Sequence, residues 1–195
     1  IEAEMAFETP AIGGKDSMSG TFNDISVPPT LITFAVTTEK TENIISSEFK
    51  KEGSYVYLIK HTPKENYVPN YEQLKHNFES VRKHILNKDI LAASTVKFGG
   101  IAEALCKMCF GNKIGVSVET KEPVFDLSIG SILVESAVEI KEDNFILLGK
   151  TTSDGMIAIN KETVSIDEAI STWCERYHKI YPMTTDEDGK KIETP

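Results

Sequence analysis

The chain reads as a mixed α/β (α+β) fold, in which helices pack against a sheet that is not purely parallel. Three observations predict this. Short β-branched and aromatic runs recur through the chain, three segments carry helical apolar spacing, and turn residues set the late strands close together like hairpins. The 195 residues suffice for one good core and a small appendage, and 40% hydrophobic with 26% charged content is ordinary for a globular protein.

Residues 1–27 hold a short strand-like piece, a glycine-rich loop and a polar insert, and Pro28 and Pro29 mark a boundary. The run 31–38 then reads as a buried strand, and 54–61 as a second. From Asn70 to about Asn87, Tyr71, Leu74, Phe78, Val81 and Ile85 recur on one helical face; Asn70 can cap this helix, and Gln73 stands at the capping-box position. On this reading His76 and His84 lie on the charged, solvated side. Residues 90–97 form a strand, and Gly99-Gly100 opens a helix ending near Gly111, with Ile101, Leu105 and Met108 inward.

Strand candidates follow at 115–119, 128–136, 145–151 and 156–160, separated by turn signals that include Asp154-Gly155. Ser165-Ile-Asp-Glu168 has the form of a capping box, and the helix it starts would bury Ile166, Ala169, Ile170, Trp173 and Tyr177 before Pro182. The segment 182–195 is polar and acidic and reads as a linker or tail.

The net charge of −9 argues against a nucleic-acid footprint, and no apolar run approaches a membrane span. Three cysteines, an odd number, suggest a reducing cytoplasm rather than a disulfide framework. Cys106-Lys-Met-Cys109 lacks a second pair for zinc and reads as free thiols. The four histidines show no metal-binding spacing.

Chemistry concentrates in Ala11-Ile-Gly-Gly-Lys-Asp-Ser-Met-Ser-Gly20. Gly13 and Gly14 free the backbone, Lys15 offers a point charge, Asp16 can ligate magnesium or hold the lysine, and Ser17 and Ser19 can donate to phosphate oxygens. It is not a Walker loop: Thr9 stands where the first glycine is needed, and Asp16 follows Lys15. The alternative is a polar surface turn whose charges satisfy each other. Gly99 and Gly100 before a helix form a second anion-binding candidate, which close helix packing explains equally well. No catalytic residue is assigned.

Gly14-Lys-Asp-Ser-Met-Ser19, Pro28-Pro-Thr-Leu-Ile-Thr-Phe-Ala-Val36 and Lys97-Phe-Gly-Gly-Ile-Ala-Glu-Ala-Leu105 resemble the second synthetase half of the large phosphoribosylformylglycinamidine synthases. The wider superfamily includes aminoimidazole ribonucleotide (AIR) synthetase. The resemblance implies an AIR synthase C-terminal-domain-like fold over 28–181, preceded by the end of an ATP-binding domain in 1–27. It also implies a glutamine-dependent ligase of purine biosynthesis using ATP and Mg2+, with a ribonucleotide substrate. Its partners would be an ATP-binding synthetase domain, a first synthetase half and a glutaminase domain of the same polypeptide. Ile1 is no initiator, so the expectation is an excised piece, inactive alone, whose exposed apolar patch would pair two copies.

The sequence departs from the family at two elements. The usual His-Asp-x-Ser-Asp-Gly-Gly stretch is here Ser94, Thr95, Val96, Lys97 and Phe98 before Gly99, and a Leu-Phe-x-Glu-Glu element is Val124-Phe-Asp-Leu-Ser128. The metal–nucleotide ligands of both elements are missing, with Lys97 a candidate replacement for the metal's charge. This leaves two other readings open: a non-catalytic scaffold half that shapes its partner's site, or a free-standing small-molecule binder.

Overall fold

The computed structural model describes residues 2–17 and 20–178. Ser19, the tail from 182 and the side chains of Ser17 and Tyr177 lie outside the described part. In chain order the elements are α1 (Glu2–Phe7), β1 (Gly13–Ser17), β2 (Gly20–Phe22), β3 (Ile25–Val27), β4 (Thr30–Phe34), β5 (Tyr55–Ile59), α2 (Tyr71–Leu86), β6 (Ile90–Thr95) and α3 (Gly100–Phe110). They continue with β7 (Gly115–Val118), β8 (Ile132–Ser136), β9 (Ile146–Thr152), β10 (Met156–Ile159), β11 (Glu162–Ser165) and α4 (Ile166–His178).

Seven of these strands form one sheet in the order β11-β10-β7-β9-β5-β8-β6, with β10 parallel to β7 and the other neighbours antiparallel. The sheet is therefore mixed, as the sequence predicts. Alternation along the central strand β5 builds two cores. Val56 and Leu58 join Leu105, Met108, Val116, Leu133 and Ile166 on the face covered by α3 and α4. Tyr57 and Ile59 join Val81, Ile132, Val134 and Phe145 on the face covered by α2. Each such buried side chain contributes about 1.5–3 kcal/mol.

Helix α2 starts where predicted: the Asn70 side chain accepts from the Gln73 N–H at 3.3 Å. The reciprocal half of the capping box is absent, because Gln73 Oε1 accepts from the Thr62 N–H at 2.8 Å instead. The buried stripe is rotated from the predicted one to Leu74, Asn77, Ser80, Val81 and His84. His84 is thus not a solvated residue: Nδ1 lies 2.8 Å from Asp89 and Nε2 3.0 Å from Glu142. Phe7 of α1 covers the displaced aromatics, with its ring 5.8 Å from both Tyr71 and Phe78. Helix α4 keeps its cap, Glu168 N–H to Ser165 Oγ at 3.2 Å. Trp173, expected to be buried, is 57% exposed and touches Phe110 along one side.

The N-terminal region departs most from expectation. The glycine-led run is a strand rather than a loop, and the 31–38 run supplies its partner rather than a buried strand. β1 and β4 form a separate two-stranded antiparallel ribbon, joining the two sides of the boundary placed at Pro28. Every residue of β4 is exposed. Between them, β2 and β3 make a second small hairpin.

Candidate functional site

In the β1–β4 ribbon, Gly13 pairs with Phe34, Gly14 with Thr33, Lys15 with Ile32 and Asp16 with Leu31. Gly14 has a structural reason: a Cβ there would sit 2.8 Å from the Ile32 carbonyl oxygen. Successive residues of a strand face opposite ways. Lys15 therefore shares one face with Ile32 and Phe34, and Asp16 shares the other with Leu31 and Thr33. The ammonium and carboxylate do not converge on one ligand in this conformation. The Lys15 Nζ donates to the Asp16 carbonyl oxygen at 3.2 Å, an exposed contact. Ile12, Leu31 and Val36 are each about 70–80% exposed, so the ribbon's apolar side chains contribute little to either core.

The second candidate group stands at the start of α3, on the sheet side of the molecule. Gly100 has φ +68°, and a Cβ on it would lie 2.4 Å from the Val124 carbonyl oxygen and 2.7 Å from the Phe125 carbonyl carbon. Only glycine fits both the backbone conformation and the close approach. The two elements that depart from the family pattern thus meet here, and the segment 124–126 crosses directly over the helix start.

Three amide donors of this terminus are engaged within the chain. The Gly99 N–H donates to Glu103 Oε2 at 3.1 Å, the Gly100 N–H to the Lys97 carbonyl at 3.1 Å, and the Ala102 N–H to the Val124 carbonyl at 2.8 Å. Lys107 Nζ lies 2.5 Å from Glu103 Oε1, and this ion pair, joined by the Gly99 N–H, holds the Glu103 carboxyl below its ordinary range. Close packing therefore accounts for the two glycines. Glu103 was not singled out from the sequence, although its spacing of four from both Gly99 and Lys107 was the available signal.

Beside this terminus, a cleft of about 180 Å3 is lined by Lys60, His61, Glu122, Asp126 and Ser128, among others. Lys60 and Glu122 form an ion pair at 2.6 Å across it. His61 is 5% exposed with both ring nitrogens used: Nδ1–H donates to the Ile129 carbonyl at 2.7 Å, and Nε2 accepts from the Asn70 N–H at 3.0 Å. It fastens the end of β5 to the cap of α2.

Cys106, Cys109 and Cys174 are free thiols, as expected, and burial pushes the Cys109 thiol far up. Among the described residues, no group of three His, Cys, Asp or Glu side chains could hold a metal ion. Likewise, no helix among them is long and apolar enough to cross a membrane.

No protein-family model matches the chain. It is 28% identical to the phosphoribosylformylglycinamidine synthase subunit PurL of Pelagibacter ubique, over 90% of this chain and 29% of that protein. It is also 28% identical to PurL of Methanocaldococcus jannaschii, over 74% of this chain and 22% of that one. The fold is similar to the structure of PurLQS from Thermotoga maritima, with a TM-score of 0.55 and 14% identity over 70% of this chain and 28% of that chain. PurL of the same organism complexed with AMPPCP gives 0.54 and 11% identity over 71% of this chain and 28% of that chain. The chain spans less than a third of the length of these relatives. Along nine-tenths of its length the chain is similar in sequence to the PurL subunits of phosphoribosylformylglycinamidine synthase, and its fold is similar to theirs.

Proposed function

We propose that this chain is a domain of a phosphoribosylformylglycinamidine synthase, a C–N bond-forming ligase of purine biosynthesis in the cytoplasm. The observation that carries this reading is the 28% identity with PurL along 90% of the chain. By family resemblance, the intact ligase converts formylglycinamide ribonucleotide and glutamine-derived ammonia to the amidine, with ATP and Mg2+ supplying a phosphate leaving group. Solved structures of Thermotoga maritima PurL complexed with ATP and with FGAR support ligands of both kinds for the whole enzyme.

Within that enzyme, the exposed ribbon is the part of this chain best placed to meet a substrate. Gly13 and Gly14 leave the strand without side-chain bulk, and Lys15 offers a cation to a sugar phosphate from the face it shares with Ile32. Asp16, on the other face, serves a different contact or a magnesium ion. The remaining walls of such a pocket belong to other domains of the same polypeptide, and this chain alone is inactive. Amidine formation tests both parts: the intact ligase carrying this segment makes product, and the 195-residue chain alone makes none.

A second reading is favoured by the exposed apolar ribbon and the closed start of α3. Here the domain is a scaffold that shapes the catalytic half without contacting a reactant. Replacing Lys15 or Asp16 by Ala in the intact ligase separates the two, since a scaffold leaves turnover unchanged.

A further inference from the structure

We infer that the N-terminus of α3 is closed by the chain itself: the Glu103 carboxylate and the Val124 carbonyl occupy amide donors that a phosphate would need, and no metal–nucleotide binds at this element. The family resemblance implies such a ligand here, so the residues present can be tested against it. Magnesium needs hard oxygen ligands, chiefly carboxylates. Ser94, Thr95, Val96, Lys97 and Phe98 supply no carboxylate, and 124–128 supplies only Asp126. Among the described residues no metal-holding cluster forms there or elsewhere.

A phosphate without metal would need free N–H groups at the helix start. Those of Gly99, Gly100 and Ala102 are already donated, to Glu103, Lys97 and Val124. The crossing of 124–126 over Gly100 leaves no room even for a methyl group, since a Cβ would come within 2.4–2.9 Å of three of its backbone atoms. Glu103 also places a negative charge beside Gly99, where an incoming anion would meet repulsion. Its position is fixed by Lys107 one turn along, so the carboxylate acts as a built-in anion for its own helix. The ligands do not fit, and the surface instead presents Phe98, 83% exposed, and Phe125, 76% exposed.

This inference concerns only residues 94–128 and stands or falls separately from any role of Lys15. The test is a nitrogen-15 NMR titration of the full 195-residue chain, with ADP plus Mg2+ in one arm and inorganic phosphate in the other. The expected result is no saturable movement of the Gly99, Gly100, Ile101 and Ala102 amide resonances at millimolar ligand. A saturable shift clustered on those amides in either arm overturns the inference. A companion measurement follows hydrogen exchange of the Gly99 amide in Glu103→Ala. Loss of the carboxylate acceptor should speed it roughly tenfold, and an unchanged rate overturns the self-capping.

Discussion

Glu135 and Lys50 lie 85 positions apart, yet the fully buried Glu135 carboxylate accepts the Lys50 backbone N–H at 2.7 Å. Its other oxygen accepts the Lys51 N–H at 2.9 Å. One carboxylate in β8 thereby satisfies the two amides that lead into β5. Glu135→Ala leaves two donors unpaired, and the expected loss is about 3 kcal/mol of unfolding free energy. Glu135→Gln keeps a carbonyl acceptor and should lose roughly half of that. Urea denaturation of both variants checks the order.

Gly100→Ala should cost about 2–4 kcal/mol, combining a left-handed backbone with overpacking against 124–126. Thermal unfolding measures the loss, and faster exchange of the Ala102 amide would show that the Val124 carbonyl has moved away.

His61 is expected to matter for position rather than charge. His61→Ala leaves the Ile129 carbonyl and the Asn70 N–H unpaired in the interior, a loss of about 2–4 kcal/mol. Exchange at the Asn70 amide should accelerate more than exchange at the centre of α2. Equal acceleration along the helix would contradict a local fastening role.

Glu39 joins residues 39–43 to α2: its carboxylate accepts from Asn43 Nδ2 and the Lys40 N–H, both at 2.9 Å, and from Arg82. Hydrogen bonds from Asn43, Lys40 and Arg82 hold its carboxyl at about 2, below the ordinary 4.5. The folded protein therefore binds this proton more weakly than the unfolded chain. The stabilisation is present above about pH 4.5 and is lost as the pH falls toward 2. Glu48 behaves alike through Lys50 and Ser46. In Glu39→Gln, the urea midpoint should fall less steeply over this window than in the parent chain. An identical slope would assign the acid dependence elsewhere.

The sheet was legible where periodicity and burial agree. Val56, Leu58, Tyr57 and Ile59 alternate between two real cores, and α3 buries Ile101, Leu105 and Met108 as its spacing predicts. The stripe of α2 was misplaced because hydrophobicity alone defined it: Asn77 is buried through hydrogen bonds and His84 through hydrogen bonds and ring packing, which hydropathy cannot register, and Ser80 is buried beside them. The 31–38 run misled for a different reason. Leu31, Ile32 and Phe34 have the composition of a strand covered on both faces, but no described residue buries them. Of the candidate site, the residues at Lys15 and Gly99 were visible in the sequence, while strand alternation at Lys15 and the cap by Glu103 required the fold.

The central claim is that the Lys15 ammonium serves a substrate phosphate in the intact ligase. The most direct measurement is steady-state amidine formation by that enzyme with Lys15→Ala, varying formylglycinamide ribonucleotide. Loss of one charged contact should lower kcat/KM for the ribonucleotide roughly 10- to 100-fold. A variant that folds normally and keeps the parent's kcat/KM would contradict the claim and leave this domain a scaffold.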